Sequence, residues 1–186
     1  MILVVDMNQK KDSLGYCEFV LPILEIVKHQ EQYRVKHYAE VTEEDLNSCS
    51  KVILSGTPLK DNTAVGHAEE RFVWLRTVNK PVLGICAGMQ AMGAVFGLLL
   101  TRCLEIGMTP MRTLTANPLF SGKFRAYSLH NFCVESSDEF EVLAESEKCV
   151  QALKHKQKPI YGVLFHPEVR NPEILMRFLS LKTMDC

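Results

Sequence analysis

The strongest chemical signal in the sequence is a cysteine with glycine two residues before it and two residues after it. This Gly-x-Cys-x-Gly motif, residues 84–88, lies where the apolar run 81–85 gives way to a helix-like segment. Glycine at both positions removes side chains that would collide in a sharp strand-to-helix turn. The unpaired N–H groups and positive dipole end of the helix favour a thiolate and a nearby oxyanion. The motif therefore predicts that Cys86 is a nucleophile.

A cysteine nucleophile needs a base and a group that orients the base. The apolar run 160–165 ends in His166-Pro167-Glu168, so an imidazole and a carboxylate are delivered together at a strand terminus. Pro167 fixes the backbone between them and keeps His166 extended. Glu168 can accept a hydrogen bond from one ring nitrogen of His166, which leaves the other nitrogen to face Cys86. We therefore predict a catalytic triad of Cys86, His166 and Glu168.

The same chemistry requires N–H groups directed at the developing oxyanion. One candidate is the backbone N–H of Ala87, the residue after the nucleophile. A second candidate is the tight loop 55–58, which directly follows the strand-like run 51–54. An ordinary strand-to-loop turn is the alternative interpretation of that loop.

Length and composition indicate one compact domain of a soluble, cytoplasmic protein. The chain has 186 residues, is 47% hydrophobic and carries a formal net charge of −1, with no basic block that would favour nucleic acid as a partner. The longest apolar stretch, around residues 91–100, is about half the ~20 residues needed to span a bilayer. The first six residues lack a basic leader and fit a first core strand better than a secretion signal.

The seven cysteines are too widely spaced to form a C-x-x-C pair. This spacing favours reduced thiols over a disulfide framework or a zinc site. Because the remaining ligand-type residues are also scattered, we expect no structural metal and no cofactor.

The first half of the chain alternates strand-like and helix-like patterns. Strand-like runs lie at 2–5, 33–38, 52–54 and 82–85, and helix-like segments at 18–30, 68–78 and 88–100. This alternation predicts right-handed crossovers and an α/β fold with an open, mostly parallel central sheet that has helices on both faces.

The second half has a different pattern. Extended runs lie at 124–128, 140–143, 150–154 and 160–165, before a closing helix at 172–181. We expect a smaller antiparallel β region added to the parallel core. The long loops are predicted at 6–15, 55–66 and 109–122, and loops at the carboxyl ends of the strands should build the site.

Four segments, in order along nearly the whole chain, carry a family resemblance: residues 2–6, 54–58, 84–90 and 161–168. Together they resemble the class I glutamine amidotransferases, which have a flavodoxin-like fold and supply ammonia to biosynthetic synthetases. The resemblance implies that Cys86 attacks the side-chain amide of L-glutamine and forms a glutamyl thioester. It also implies that His166 protonates the departing ammonia and activates water, that Glu168 steadies His166, and that a partner synthetase uses the ammonia.

The resemblance also assigns binding residues. Gly56 and the Thr57 N–H match the second oxyanion donor, and Gln90 matches a position that contacts the substrate glutamine. The substrate's α-amino and carboxylate groups would be held by Ser128, Leu129 and His130, although a structural role for His130 is equally open.

Two residues depart from the family pattern. Thr57 stands where the family usually has glycine before the proline of the oxyanion loop, and Leu164 stands where glutamine is most frequent. A β-branched residue resists positive φ, so a peptide that must flip to direct its N–H would reach the active conformer less often. Activity is then expected to depend on a partner.

The branch of the family stays open between three hypotheses. Ala87, Met89 and the stand-alone length are similar to the glutaminase component of a two-component GMP synthetase, whereas segment 128–131 is closer to other branches, including γ-glutamyl hydrolases. The leading hypothesis is a glutaminase that passes ammonia to a synthetase. The alternatives are a self-sufficient γ-glutamyl hydrolase and a regulatory or binding protein with weak catalysis.

Overall fold

The computed structural model describes residues 1–182, in which nine strands form one curled sheet. The strands are β1 (Ile2–Asp6), β2 (Tyr33–His37), β3 (Lys51–Leu54), β4 (Val82–Ile85), β5 (Leu100–Thr113), β6 (Lys123–Val134), β7 (Phe140–Glu145), β8 (Val150–His155) and β9 (Ile160–Val163). Their order across the sheet is β2-β1-β3-β4-β9-β8-β7-β5-β6. The first five strands in this order pair in parallel and the others pair antiparallel. The predicted parallel core with an antiparallel addition is confirmed.

Helices cover both faces of the parallel strands. The α-helices are α1 (Leu21–Val27), α2 (Glu43–Ser48), α3 (Thr63–Gly66), α4 (Ala68–Arg71), α5 (Ala87–Val95), α6 (Pro167–Arg170) and α7 (Pro172–Leu179). Alternate residues of β1 join different cores: Val4 packs in the cluster that contains α1 and α7, whereas Leu3 and Val5 pack in the cluster that contains α5. This burial on both faces is typical of parallel strands. Within residues 1–182, no helix combines the length and the apolar character that crossing a membrane would need.

The predicted helix at 88–100 is wrong in its second part. Helix α5 ends at Val95, and Leu100 already begins β5. Gly97 has φ +71°, a left-handed conformation that ends a helix and that glycine adopts without steric cost. The apolar run 98–100 fits either pattern, so the glycine and not the hydrophobicity sets the boundary.

Two further boundaries differ from the prediction. The segment 68–78 is not one helix, because Phe72, at φ −119° and ψ 14°, separates α4 from a 3₁₀ turn at Val73–Arg76. The predicted loop 109–122 begins later, since β5 continues to Thr113 and pairs with β6 along this stretch. Long-range pairing here overrides the turn signal of Pro110.

The sheet order explains how distant residues meet. Strands β4 and β9 are parallel neighbours, with Ile85 opposite Val163, and β3 lies on the other side of β4. The residues that follow these three strands therefore lie at one edge of the sheet. The curl returns β6 to the same edge, where the His166 N–H donates to the Tyr127 carbonyl at 2.8 Å.

Candidate active site

Cys86 lies on a strained turn between β4 and α5. Its backbone has φ 47° and ψ −102°, in a region that L-residues rarely adopt. A Cβ atom on Gly84 would come within 2.6 Å of the Gly88 backbone, and one on Gly88 within 2.7 Å of Leu54. Real Cβ atoms do not approach backbone this closely, so both glycines are required by the packing of the turn. The local geometry is that of a nucleophile elbow.

The Cys86 thiol is buried but faces a small pocket. The backbone N–H of Cys86 donates to the Val163 carbonyl at 2.8 Å, which fixes the turn against β9. Its Sγ lies 3.5 Å from the Leu129 carbonyl oxygen. The pocket beside the thiol is lined by Thr57, Pro58, Leu59, Asn62, Cys86, Gln90, Leu129, His130 and Asn131. Residues that were predicted from three separate segments thus surround one cavity.

His166 and Glu168 form a buried pair at the end of β9. Nδ1 of His166 lies 2.8 Å from Oε1 of Glu168, and both side chains are fully buried. Pro167 is the first residue of α6, so His166 immediately precedes this helix and Glu168 lies in its first turn. Nε2 of His166 is buried and has no hydrogen-bond partner among the described residues. Glu168 therefore holds one ring nitrogen and leaves the other available.

The electrostatics of this pair favour a charged imidazole. Burial acts to lower the pKa of His166, but the Glu168 carboxylate and the neighbouring Cys86 thiol outweigh it. The pKa of His166 is consequently raised well above its ordinary value. The arrangement therefore favours an imidazolium between the Glu168 carboxylate and the Cys86 sulfur.

Aromatic rings and a glycine fix the position of the imidazole. The ring of Phe19 lies 5.1 Å from that of His166, and the ring of Tyr127 lies 6.4 Å from it, measured between centroids. A Cβ on Gly56 would come within 2.5 Å of Cε1 of His166. Phe19 and Tyr127 were missed by sequence reasoning, because helix periodicity marks Phe19 only as a core residue.

The predicted oxyanion groups lie close to this pair. Ala87 is the first residue of α5, so its N–H is among those that no carbonyl of the helix can accept. Thr57 is buried, and its hydroxyl donates to the Asp61 carbonyl at 2.7 Å. Within residues 1–182, positive φ outside glycine occurs at Asp12 and Cys86 alone, so Thr57 has a negative φ.

The four predicted binding residues, Gln90, Ser128, Leu129 and His130, have different surroundings in the structure. Gln90 is buried and donates from its side-chain amide to the Phe132 carbonyl at 3.0 Å, while Leu129 presents its carbonyl to the thiol. Ser128 is fully buried, and its hydroxyl has no partner among the described residues. The His130 ring points to the Cys103 carbonyl and the Glu105 carboxylate, so the structure places this side chain in an internal network. Burial lowers the pKa of His130, against the effect of Glu105.

The structure also brings together residues that looked scattered along the chain. The thiols of Cys103, Cys133 and Cys149 lie within 4.8 Å of one another, although they belong to three distant segments. The premise that ligand-type residues are dispersed is therefore wrong for this group. No local spacing signalled it, because the contact depends on the register of β5 and β6 and on the turn before β8.

Comparison with known proteins assigns the family. The family model for class-I glutamine amidotransferases matches residues 23–185. The chain belongs to this family. The amidotransferase is therefore an enzyme that acts on the C–N bond of the glutamine side-chain amide.

The most similar curated relatives bear one name, that of a subunit of the glutamine-hydrolyzing GMP synthase. The amidotransferase is 38% identical over 143 residues to this protein from Pyrococcus abyssi, and the match covers 71% of this chain and 75% of that protein. It is 37% identical over 144 residues to the protein of the same name from Methanopyrus kandleri, with the same shares covered.

Solved structures show the same fold. A Thermoplasma acidophilum protein, named only provisionally as a GMP synthase component, aligns with a TM-score of 0.80 at 23% identity, covering 96% of this chain and 92% of that chain. A glutamine amidotransferase from Thermotoga maritima aligns with a TM-score of 0.69 at 20% identity, covering 97% and 81% of the respective chains. The flavodoxin-like α/β fold expected from the sequence is confirmed.

Proposed function

We propose that this amidotransferase hydrolyses L-glutamine to glutamate and ammonia through a thioester on Cys86. The observation that supports the proposal is the parallel pairing of β4 with β9, because the strained turn at Cys86 follows β4 and the buried His166 and Glu168 pair follows β9. A nucleophile, a base and a group that orients the base are the residue types that nucleophilic catalysis requires.

The first half of the reaction forms the thioester. His166 takes the Cys86 proton at Nε2, and Sγ attacks the side-chain amide carbon of glutamine. The N–H of Ala87, with the backbone N–H groups at Gly56 and Thr57, stabilises the oxyanion that forms. When the oxyanion collapses, the C–N bond breaks, His166 returns its proton to the leaving nitrogen, and ammonia departs.

The second half regenerates the enzyme. His166 takes a proton from water, and the resulting hydroxide attacks the thioester carbon. The C–S bond breaks, glutamate leaves, and the thiolate recovers the proton from His166. Glu168 accepts a hydrogen bond from Nδ1 throughout, which keeps Nε2 directed at the reacting groups and stabilises the imidazolium.

The substrate's polar groups are assigned to residues of α5 and β6. We propose that Gln90 and Leu129, which line the pocket, and the buried Ser128 contact the bound glutamine, and that the His130 side chain holds segment 128–131 in place. The unpartnered, buried Ser128 hydroxyl supports this assignment, since such a group normally has a partner.

We also propose that the ammonia is used by a separate synthetase chain. The support is that the curated relatives are each named as one subunit of a glutamine-hydrolyzing GMP synthase. The acceptor on this hypothesis is the nucleotide substrate of such a synthetase.

The test combines activity with labelling by a diazo-ketone analogue of glutamine. The wild-type chain should release ammonia from L-glutamine and acquire one label, located on Cys86 by peptide mass spectrometry. Cys86→Ala should lower ammonia release by at least about 10³-fold and abolish the label. Cys17→Ala is the matched control, because Cys17 is an exposed thiol, and it should retain both.

Other outcomes decide between the alternatives. Faster turnover of γ-glutamyl peptides than of glutamine would indicate the hydrolase. An intact fold with no label at Cys86 would indicate a regulatory or binding protein. Ammonia release that survives Cys86→Ala would contradict the proposal.

A further inference from the structure

Three thiols from distant segments converge beside β6. Cys103 lies on β5, Cys133 lies on β6, and Cys149 directly precedes β8. Their sulfur atoms all lie within 4.8 Å of one another, and each of the three is a free cysteine. The strand pairing fixes this contact, since Cys133 lies opposite Thr101, just before the bulge in β5 that contains Cys103.

A carboxylate and an imidazole adjoin the same cluster. Oε2 of Glu105 lies 3.7 Å from Sγ of Cys149 and 3.2 Å from Nε2 of His130. The side chains of His130 and Glu105 are 0% and 6% exposed, so solvent does not screen the pair. Glu105, His130 and Cys149 also form a group whose ligand atoms lie within 4.8 Å of one another. Cys149 is common to both groups.

The contacts of His130 leave a conflict in this network. Nδ1 lies 3.2 Å from the Cys103 carbonyl oxygen, and Nε2 lies 3.2 Å from the Glu105 carboxylate, so both ring nitrogens face acceptors. A neutral imidazole has one N–H and can donate to only one of them. The Gln151 side-chain amide also faces Nε2, at 3.5 Å. A second ring proton, a proton on Glu105 or a bound cation would remove the conflict. The three thiols next to the pair favour the cation.

We propose that this cluster is a binding site for a thiophilic divalent cation of the zinc type. The ligands are the thiolates of Cys103, Cys133 and Cys149, with the fourth ligand supplied by the Glu105 and His130 pair. Zinc takes four such ligands in a tetrahedron with Zn–S bonds of ~2.3 Å, which places the sulfurs roughly 3.8 Å apart. Because the three sulfurs already lie within 4.8 Å of one another, bringing them to this spacing requires movements of about 1 Å or less, and the ligand atoms of Glu105 and His130 lie within 4.8 Å of the Cys149 sulfur.

The surrounding groups complete an outer shell. The hydrogen bond of Nδ1 to the Cys103 carbonyl leaves Nε2 as the nitrogen that can ligate, as is usual for metal-bound histidine. The Gln151 side-chain amide and the Ser146 hydroxyl donate to Glu105 at 2.5 and 3.1 Å. These bonds hold the carboxylate in place. On binding, the thiols release their protons to solvent.

A cation bound at this site would hold β6 in place where this strand forms one wall of the pocket beside Cys86. His130 is adjacent to Leu129, whose carbonyl faces the Cys86 thiol, and Cys133 is adjacent to Phe132, whose carbonyl accepts from Gln90. The cation therefore has a positioning role in the structure and takes no part in the reaction itself. A disulfide between two of the thiols would leave the third thiol and the Glu105 and His130 pair without a function.

The experiment is a cobalt titration of the full chain, reduced, stripped with a chelator and freed of both reagents. We expect one equivalent of Co²⁺ to bind, with thiolate-to-cobalt charge-transfer absorption in the near ultraviolet that Zn²⁺ abolishes by displacement. Zn²⁺ should also raise the Tm of the wild-type chain. Cys103→Ser and Cys149→Ser change half-buried thiols and should lose the charge-transfer band and the Tm increase.

Three controls keep the result specific. Cys49→Ser removes a buried thiol outside the cluster and Cys17→Ser removes an exposed one, so both should bind as the wild type does. Cys86→Ala should also bind one equivalent, which separates this site from the proposed nucleophile. Absence of the band in the folded wild-type chain, binding that persists in both cluster variants, or an intramolecular disulfide in the freshly isolated protein would each overturn the proposal.

Discussion

The imidazole of His166 lies directly against the backbone of Gly56, so that a methyl group on Gly56 would approach Cε1 of the ring to 2.5 Å and Nδ1 to 3.1 Å. The oxyanion loop and the proposed base are therefore in direct contact. A side chain at position 56 would move the ring or the loop, and either movement would disturb the alignment of Nε2 with the Cys86 thiol.

We expect Gly56→Ala to lower kcat/KM for glutamine by about 10²-fold, since a displacement near 1 Å costs that much at a reacting centre. Steady-state glutaminase assays check this. Gly66→Ala is the matched control, because a Cβ there meets nothing within 4 Å and its φ is not positive. The control should keep full activity, and equal losses in both variants would contradict the contact argument.

A second prediction concerns the strain at Cys86. With φ 47° and ψ −102°, this residue occupies a region that costs on the order of 1–3 kcal/mol for a residue with a Cβ. Glycine relieves the strain, but its greater conformational freedom in the unfolded chain lowers the free energy of unfolding by about 0.5–1 kcal/mol relative to alanine. We expect Cys86→Gly to be more stable than Cys86→Ala by about 1 kcal/mol in urea unfolding, although both variants are inactive. A Cys86→Ala chain that is the more stable of the two by about 0.5–1 kcal/mol would show that the turn is not strained.

Local patterns predicted the parts of this fold that depend on neighbours in the chain. Apolar runs predicted the parallel strands. Gly84 and Gly88 predicted the turn at Cys86, because each glycine is required where the backbone of the turn packs closely against its neighbours. The ends of α5 and β5 were wrong, since residues 98–100 are apolar in either state and Gly97 decides between them. The predicted helix at 68–78 is wrong at Phe72, where the backbone leaves helical geometry.

The site was predictable to the same extent and for the same reason. Motifs at strand ends indicate Cys86, His166 and Glu168, and the parallel sheet then brings strand ends together. The direction of the His130 ring depends on strand register and on the bulge in β5, neither of which leaves a local signal. The cluster of Cys103, Cys133 and Cys149 was missed for the same reason, because strand register brings these residues together.

The third prediction is a pH shift caused by Glu168→Gln. The Glu168 carboxylate favours the imidazolium form and contributes to the raised pKa of His166. Glutamine keeps the shape but removes the charge, so the pKa should fall and the imidazolium should be lost at lower pH. The alkaline limb of the pH profile of kcat/KM should therefore move to lower pH. An unchanged limb would show that Glu168 does not control the titration.

The same linkage predicts how stability changes with pH. A folded pKa above the unfolded value near 6.5 stabilises the folded state fully below about pH 6.5, and this contribution is lost as pH rises through the folded pKa. The wild type should therefore exceed Glu168→Gln in free energy of unfolding most clearly between about pH 5 and 6.5. The difference should shrink at higher pH. Urea unfolding across this range measures it.

The last prediction concerns Thr57, which stands where the family usually has glycine. Its φ is negative here, and its hydroxyl holds the Asp61 carbonyl at 2.7 Å, so both the backbone preference and the hydrogen bond oppose a flip of the loop. We expect Thr57→Gly to raise kcat of the isolated chain severalfold, because glycine reaches positive φ without steric cost.

Two variants separate the causes of that effect. Thr57→Ser keeps the hydroxyl and removes the β-branch, whereas Thr57→Val keeps the branch and removes the hydroxyl. If backbone preference limits the active conformer, Thr57→Val should stay as slow as the wild type and Thr57→Gly should be faster. If the bond to Asp61 is limiting, Thr57→Val should rise as well. A Thr57→Gly chain that is slower than the wild type would mean that the loop is already competent, and that Thr57 stabilises it.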